Sequence, residues 1–182
     1  MKKTAIFLVL LGLALNVNGQ KYLTRTGVIQ FFSETDMENI EAINNQASSV
    51  INMENGDMAF TILMKAFSFE KALMQEHFNE KYVESEKFPK AKFTGQIQNF
   101  SALKLSSSPT EIIIKGKLTI HGVTKDVEVK GTLAQLSNGH VKGISTFTIK
   151  LEDYDIKVPS AVASNISDTI EIKVNMDYEK MD

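Results

Sequence analysis

The sequence predicts an all-β protein of about eight antiparallel strands with one amphipathic helix. Apolar residues recur at every second position through most of the chain, and this period of two is typical of strands with one buried face. The clearest case is segment 116–129, where two alternating runs flank a short turn at His121 and Gly122. Eight antiparallel strands can close into a barrel, which removes exposed sheet edges, although a sandwich of two sheets fits the same pattern.

Residues 1–19 are typical of a secretory signal peptide. Two lysines precede an apolar run from Ala5 to Leu15, and small residues follow it near Gly19. The run is far shorter than the roughly 20 residues that span a bilayer, so we expect no stable membrane span. Cleavage after Gly19 would leave one domain over residues 20–182 and would place it in the periplasm or outside the cell.

The composition excludes several classes of function. The chain has no cysteine, which excludes thiol nucleophiles, disulfides and cysteine-ligated metals. Its formal charge of −2 becomes −4 once Lys2 and Lys3 are removed, and no basic run is present that could follow a nucleic-acid backbone. We therefore expect no nucleic-acid partner. The sequence does not indicate an oligomeric state.

The first third of the domain predicts several strands. Residues 21–33 are expected to form a long strand that is bent or bulged at Gly27. Residues 40–53 are interrupted by Asn44-Asn45-Gln46, so we expect two short strands there. Asn55-Gly56 predicts a hairpin turn, because these residues tolerate the positive φ angles that two-residue turns require.

The hydrophobic period changes between residues 70 and 81. Apolar or aromatic side chains then recur at spacings of three and four, at Leu73, Met74, His77 and Phe78. This spacing predicts an amphipathic helix between strands over 58–69 and 91–99. The remaining strands are expected in the hairpin around His121 and over residues 140–151 and 169–178.

Several short motifs together carry a resemblance to a known family. The most specific is Leu118-Thr119-Ile120-His121-Gly122-Val123-Thr124-Lys125. Individually weaker ones are Glu76-His77-Phe78, Glu86-Lys87-Phe88-Pro89, Phe147-Thr148-Ile149 ahead of Asp153-Tyr154, and Ile166-Ser167-Asp168. Together they resemble the YceI-like family of exported bacterial proteins over nearly all of residues 20–182. The resemblance implies an eight-stranded lipocalin-like barrel whose apolar lumen holds a polyisoprenoid or similar long-chain amphiphile, without catalysis.

Under this resemblance, the inward-facing side chains form the wall of the lumen. We expect a ligand to contact Phe60, Ile62, Met64, Phe93, Ile114, Leu118, Val129, Phe147, Ile149, Ile172 and Val174. Because the pleat alternates, the lysines between them should face water: Lys115, Lys117, Lys130, Lys150 and Lys173. His77 lies on the apolar stripe of the helix. It is either a polar contact for a ligand head group or a partly buried structural histidine.

Few residues could carry chemistry of another kind. His121 and His140 lie in or beside turns, and we expect both to be solvated. Asp153 and Asp155 are the nearest approach to a metal site, but no histidine accompanies them and no calcium-loop pattern is present. No serine lies in a Gly-x-Ser-x-Gly elbow. The sequence therefore indicates no catalytic residue, no metal and no cofactor.

The period of two leaves one alternative open. A barrel filled with side chains buries the same strand faces as a barrel with an open lumen, and methionine and phenylalanine suit both. The alternative to a lipid carrier is therefore a packed barrel without ligand, acting as a structural or partner-binding module of the cell envelope.

Overall fold

Nine strands are hydrogen bonded into one antiparallel sheet that closes into a barrel. The computed structural model describes residues 20–181. The strands are β1 (Lys21–Glu34), β2 (Asn39–Asn52), β3 (Asp57–Leu63), β4 (Ser68–Phe69), β5 (Lys90–Ile97), β6 (Thr110–Ile120), β7 (Val123–Gln135), β8 (Val141–Lys150) and β9 (Thr169–Lys180). The predicted signal peptide, residues 1–19, lies outside the described residues and stays a prediction.

Eight strands form the barrel wall, in the order β1-β9-β8-β7-β6-β5-β3-β2, and β2 pairs with β1 to close it. The two-residue β4 pairs with the first part of β2, beside the stretch that pairs with β3. The predicted fold, an eight-stranded antiparallel barrel with one short helix, is confirmed. β7 and β8 pair only between Gly131–Gln135 and Val141–Ser145, so the upper parts of these two strands are paired on one side alone.

The strand directions define two ends of the barrel. The upper end holds the β1–β2 turn, the β6–β7 turn and two long connections. We name these connections the helical cover, residues 64–89, and the loop cover, residues 151–168. The lower end holds the other three connections and both ends of the described chain. Connections as long as the two covers are uncommon in compact domains unless they serve a function.

The helical cover contains the one predicted helix. α1 covers Ala72–His77 and continues as a single π turn over Phe78–Tyr82. The predicted helix is present, but its apolar stripe is narrower than expected, because Leu73 is 61% exposed. Met74, His77 and Phe78 face the barrel interior. A short helix that covers an opening has only one narrow face to bury, so Leu73 is left in solvent.

The β6–β7 hairpin follows the prediction closely. Its strands pair in register from Ile120 opposite Val123 to Thr110 opposite Leu133. His121 and Gly122 have φ angles of 51° and 77°, and two positive φ angles let a two-residue turn match the twist of its strands. A side chain at Gly122 would also collide with the Phe88 ring, since a Cβ there would lie 2.6 Å from Cε1.

β2 is one continuous strand, so the expectation of two short strands over 40–53 is wrong. The polar interruption is accommodated by a bulge where β2 passes Gly27, at which the pairing register shifts. Asn44 is fully buried there. Its amide nitrogen donates to the Leu63 carbonyl at 2.9 Å, and its oxygen accepts the Gln46 N–H at 2.8 Å. These bonds satisfy backbone groups that the bulge removes from the ladder, so the strand continues.

The next connection and strand also differ from the prediction. The turn after β2 occupies four residues, 53–56, and among them only Gly56 has a positive φ, at 79°. The expected strand over 58–69 is divided into β3, a 3₁₀ turn at Met64–Ala66 and β4. The division lets the chain bend over the upper end of the barrel, where the helical cover begins.

Candidate functional site

The upper half of the barrel contains a cavity of about 370 Å³. All twelve residues that the sequence predicts for ligand contact line it: Phe60, Ile62, Met64, His77, Phe93, Ile114, Leu118, Val129, Phe147, Ile149, Ile172 and Val174. The five lysines expected between them are exposed. The predicted strand faces are therefore correct. Whether these residues bind a ligand stays a prediction.

The lower half of the barrel is filled with side chains. Its centre consists of residues that are no more than 1% exposed and do not line the cavity: Ile51, Ile97, Leu133, Val141, Met176 and Tyr178. The Tyr178 hydroxyl and the Ser49 hydroxyl form a buried hydrogen bond of 2.9 Å. Burial raises the pKa of Tyr178 well above its ordinary value, more than the bond to Ser49 lowers it. The tyrosine is therefore a neutral part of the core.

The Phe93 ring lies over two glycines in the wall of the cavity. Gly95 and Gly116 face each other across the β5–β6 pair. A Cβ on either glycine would lie 2.5 or 2.6 Å from Cζ of Phe93, so the ring occupies the space that two side chains would fill. Phe60 packs against Phe93 edge to face, with 5.9 Å between ring centroids. The missing Cβ atoms thus give the Phe93 ring the space that it occupies against the barrel wall.

An aromatic cluster lines the upper part of the cavity. Phe31, Phe67, Phe69 and Phe78 contact one another with ring centroids 5.0 to 5.7 Å apart. All four line the cavity, although none of them is among the predicted ligand contacts. Three of them lie within the helical cover, and of these only Phe69 belongs to a strand, the two-residue β4. Their signal in the sequence is the density of phenylalanine over residues 67–78, which a search for alternation does not detect.

Polar side chains of the cavity wall are concentrated at the upper end. Ser33 and Glu38 flank the β1–β2 turn, His77 and Tyr82 belong to the helical cover, and Asn165 belongs to the loop cover. Ser145 lies deeper, but its hydroxyl donates to the Lys130 carbonyl at 2.6 Å. The cavity therefore has an apolar interior and a polar mouth.

Glu38 connects both covers at this mouth. One carboxylate oxygen accepts a hydrogen bond from Lys71 Nζ at 2.9 Å, and the other accepts one from Asn165 Nδ2 at 3.3 Å. The bond from Lys71 and then the bond from Asn165 lower the pKa of Glu38, and the same carboxylate raises the pKa of Lys71. The β1–β2 turn is thus tied to the helical cover and to the loop cover through one side chain.

Comparison with known families places this arrangement among related proteins. The profile of the YceI-like domain family matches residues 16–178. The chain belongs to the YceI-like family. The resemblance inferred from the motifs is thereby confirmed. No curated protein matches the chain significantly.

Several solved structures are similar to this YceI-like chain. A polyisoprenoid binding domain from Saccharophagus degradans, implicated in plant cell wall breakdown, has a TM-score of 0.76 at 17% identity, with 89% of this chain and 99% of that chain covered. BcnA of Burkholderia cenocepacia has a TM-score of 0.70 at 17% identity, with 84% and 96% covered. The YceI protein of Campylobacter jejuni has a TM-score of 0.61 at 16% identity, with 82% and 89% covered. At these identities the similarity establishes a shared fold.

His121 makes a second connection between the covers of this YceI-like barrel. Its Nδ1 donates to the Tyr154 carbonyl oxygen at 3.1 Å, and its Nε2 lies 2.8 Å from a carboxylate oxygen of Glu84. The β6–β7 turn lies opposite the β1–β2 turn in the strand order. Glu38 and His121 therefore tie the two covers together from opposite sides of the mouth.

The environment of His121 corrects the expectation that this residue is solvated. Its side chain is only 12% exposed, and the Phe88 ring packs against it at a centroid distance of 4.7 Å. A turn residue is normally exposed, but here both covers fold over the turn. His140 is partly exposed, as expected beside a turn, and its Nδ1 lies 2.8 Å from Asp177 Oδ1 at the lower end.

The structure also locates the residues considered for other chemistry. Asp153 and Asp155 lie in the loop cover, on either side of the buried Tyr154. Within residues 20–181, no three histidine, aspartate or glutamate side chains are grouped so that they could hold a metal ion. Over the same residues, none of the helices has the length and apolar character needed to cross a bilayer.

Proposed function

We propose that this YceI-like protein sequesters a polyisoprenoid or similar long-chain amphiphile in the upper half of its barrel, without catalysing a reaction. The observation that carries the proposal is a cavity with apolar walls and a polar mouth. Its volume of about 370 Å³ is within the range of sites that hold small molecules. The polyisoprenoid binding domain of Saccharophagus degradans supports the proposal through its similar fold.

The physical chemistry of the wall favours an apolar guest. Water has few hydrogen-bond partners in such a cavity, so little free energy is lost when an apolar chain displaces it. Each buried CH₂ group contributes about 0.8 kcal/mol. A chain of about ten buried carbons would therefore supply roughly 8 kcal/mol, which corresponds to micromolar binding before any polar contact. The head group would contribute selectivity more than affinity.

Native mass spectrometry of protein purified from its natural host, followed by organic extraction, tests this proposal. We expect a co-purifying apolar mass, and we expect Ile149→Trp to lose it because the indole fills the cavity. Thr148→Trp is the matched control, since Thr148 is the exposed neighbour on β8. If the unmodified protein carries no lipid and the delipidated form binds no fluorescent isoprenoid, the carrier function is rejected and the structural module is favoured.

The absence of catalysis is tested with the extracted lipid itself. His77 lines the cavity, and an isomerase or hydrolase acting on the lipid would require a group of this kind. We expect the lipid to be recovered unchanged after incubation with the delipidated protein. Chemical conversion by the unmodified protein, lost in His77→Gln, would contradict a carrier without catalysis.

We further propose that the protein is exported to the periplasm or the cell exterior. Support comes from the basic, apolar and small-residue order of residues 1–19. Mass analysis of the N-terminus of the exported form should find Gln20 as the first residue. Retention of Lys2 and Lys3 in that form would contradict the proposed cleavage.

A further inference from the structure

The charges around the cavity mouth differ from those of a site for an anionic head group. Among the cavity-lining residues that the structure describes, Glu38 is the one carboxylate, and no lysine or arginine is present. The nearest cation in the hydrogen-bond network is Lys71, and Glu38 itself holds it at 2.9 Å. A phosphate placed at this mouth would meet a carboxylate and a lysine that is already paired.

The surroundings of the mouth add to this negative character. The β1–β2 turn carries Glu34, Asp36 and Glu38 and no basic residue. In the helical cover, Lys65 is paired with Glu86. Lys81 and Lys87 of the helical cover and Lys157 of the loop cover do not line the cavity. An anionic head group would lose its hydration here without gaining a charged partner.

The same mouth also presents side chains that can donate a hydrogen bond to a ligand. Ser33 is 2% exposed and lines the cavity. Its oxygen accepts the Ser167 N–H at 2.8 Å, and its hydroxyl proton can still be donated to a ligand. Within residues 20–181, the Tyr82 hydroxyl and the His77 ring lack hydrogen-bond partners, although both side chains line the cavity. Hydroxyl and imidazole groups donate to a neutral oxygen without requiring a charge on it.

We propose that the cavity selects long-chain isoprenoids whose head is uncharged and carries a hydrogen-bond-accepting oxygen, and that Glu38 rejects chains ending in a phosphate or diphosphate. The inference rests on the proposed carrier function. Ser33, His77 and Tyr82 supply the polar contacts for a neutral head. A diphosphate would bring two or three negative charges to the carboxylate of Glu38, which repels them.

Tail-matched probes isolate the contribution of the head group. Geranylgeraniol, geranylgeranial and geranylgeranyl diphosphate share one tail and differ only at the head. Each would be used to displace a bound fluorescent isoprenoid from the delipidated full-length mature protein at low salt. We expect the alcohol and the aldehyde to bind at least about tenfold more tightly than the diphosphate. Added salt should narrow this difference, since it screens charge.

Variants at the mouth assign the discrimination to Glu38. Glu38→Gln removes the carboxylate and frees Lys71, so diphosphate binding should tighten at least about fivefold while alcohol binding changes less than about twofold. Lys71→Met leaves the carboxylate uncompensated and should weaken diphosphate binding further. Glu41→Gln is the matched control, because Glu41 is exposed on β2, bonded to Gln30, and does not line the cavity.

The outcomes separate this inference from the function on which it rests. Equal or tighter binding of the diphosphate by the unmodified protein would overturn the selectivity while leaving the carrier function intact. Discrimination that is unchanged in both Glu38→Gln and Lys71→Met would overturn the role of Glu38. Failure of all three probes and of the fluorescent isoprenoid to bind would reject the carrier function together with its selectivity.

Discussion

The lower and upper halves of the barrel are built from the same strands and the same alternation, yet one is packed and the other is hollow. In the lower half, Met176 and Tyr178 reach inward over glycines. A Cβ at Gly27 would lie 2.1 Å from the Met176 sulfur, and a Cβ at Gly143 would lie 3.2 Å from the Tyr178 ring. In the upper half, Ile172 and Val174 stop short of the opposite wall and line open space. The reach of inward side chains therefore decides which half can hold a guest.

Truncating one leucine in each half should give the largest difference. Leu133→Ala removes a side chain that is fully packed, and it should lower the free energy of unfolding by about 3 to 5 kcal/mol because it leaves a closed void. Leu118→Ala enlarges a cavity that already exists and should cost only about 1 to 2 kcal/mol. Urea unfolding of the delipidated proteins measures both. Equal losses would mean that the upper half is packed in solution.

The two halves should also differ in their response to the removal of a tyrosine hydroxyl. Tyr178→Phe leaves the buried Ser49 hydroxyl without its partner, and we expect a loss of about 1 to 2 kcal/mol. Tyr82→Phe removes a hydroxyl with no hydrogen-bond partner within residues 20–181, so the delipidated protein should change by less than about 0.5 kcal/mol. Thermal melting compares the two variants. A large loss in Tyr82→Phe would reveal a structural bond at the mouth.

Phe147→Ala tests whether the cavity can accommodate a different guest. Since the ring borders open space, its removal should cost about 1 kcal/mol in the delipidated protein, against about 3 to 5 kcal/mol for a packed phenylalanine. The extra volume should shift the preferred isoprenoid toward longer or bulkier chains. Competition among isoprenoids of increasing length measures the shift. A large loss of stability together with unchanged length preference would contradict an open upper half.

The smallest expected effect concerns acid. The hydrogen bond from Lys71 lowers the pKa of Glu38 below its ordinary value of 4.5. The Glu38–Lys71 ion pair therefore stabilises the closed mouth above pH 4.5, and this stabilisation is lost as the pH falls through the lowered pKa of Glu38. Transfer of a bound fluorescent isoprenoid to acceptor vesicles should therefore accelerate only below about pH 4.5. The Glu38→Gln variant should lack this acceleration. A comparable response in the variant would show that the effect does not come from Glu38.

Strand direction and facing were predictable because alternation is a local property of the chain. Residues such as Ile114, Phe147 and Ile172 point inward as predicted, since a shift of one residue would bury the lysines between them. The division into packed and hollow halves was not predictable in this way. It depends on which glycines lie opposite which large side chains, and the register that brings Gly95 beside Gly116 joins distant parts of the chain.

The mouth was the least predictable region. Glu38, Lys71 and Asn165 come from three separate segments, and no spacing in the sequence connects them. His121 has the local signature of an exposed turn, and its burial results from the two covers that meet over it. Alternation describes regular strands, whereas these contacts are made by irregular chain packed on the end of the barrel.

The glycine pair beneath Phe93 has a consequence for how this fold can diversify. The strands on either side continue without interruption from the hollow half into the packed half, so the backbone is the same above and below the ring. At this strand register, the depth of the cavity is therefore set by the size of a few side chains. Single substitutions beside the Phe93 ring can thus change the depth of the cavity while the backbone stays the same. The length of the cavity can therefore change in this fold without a change of topology.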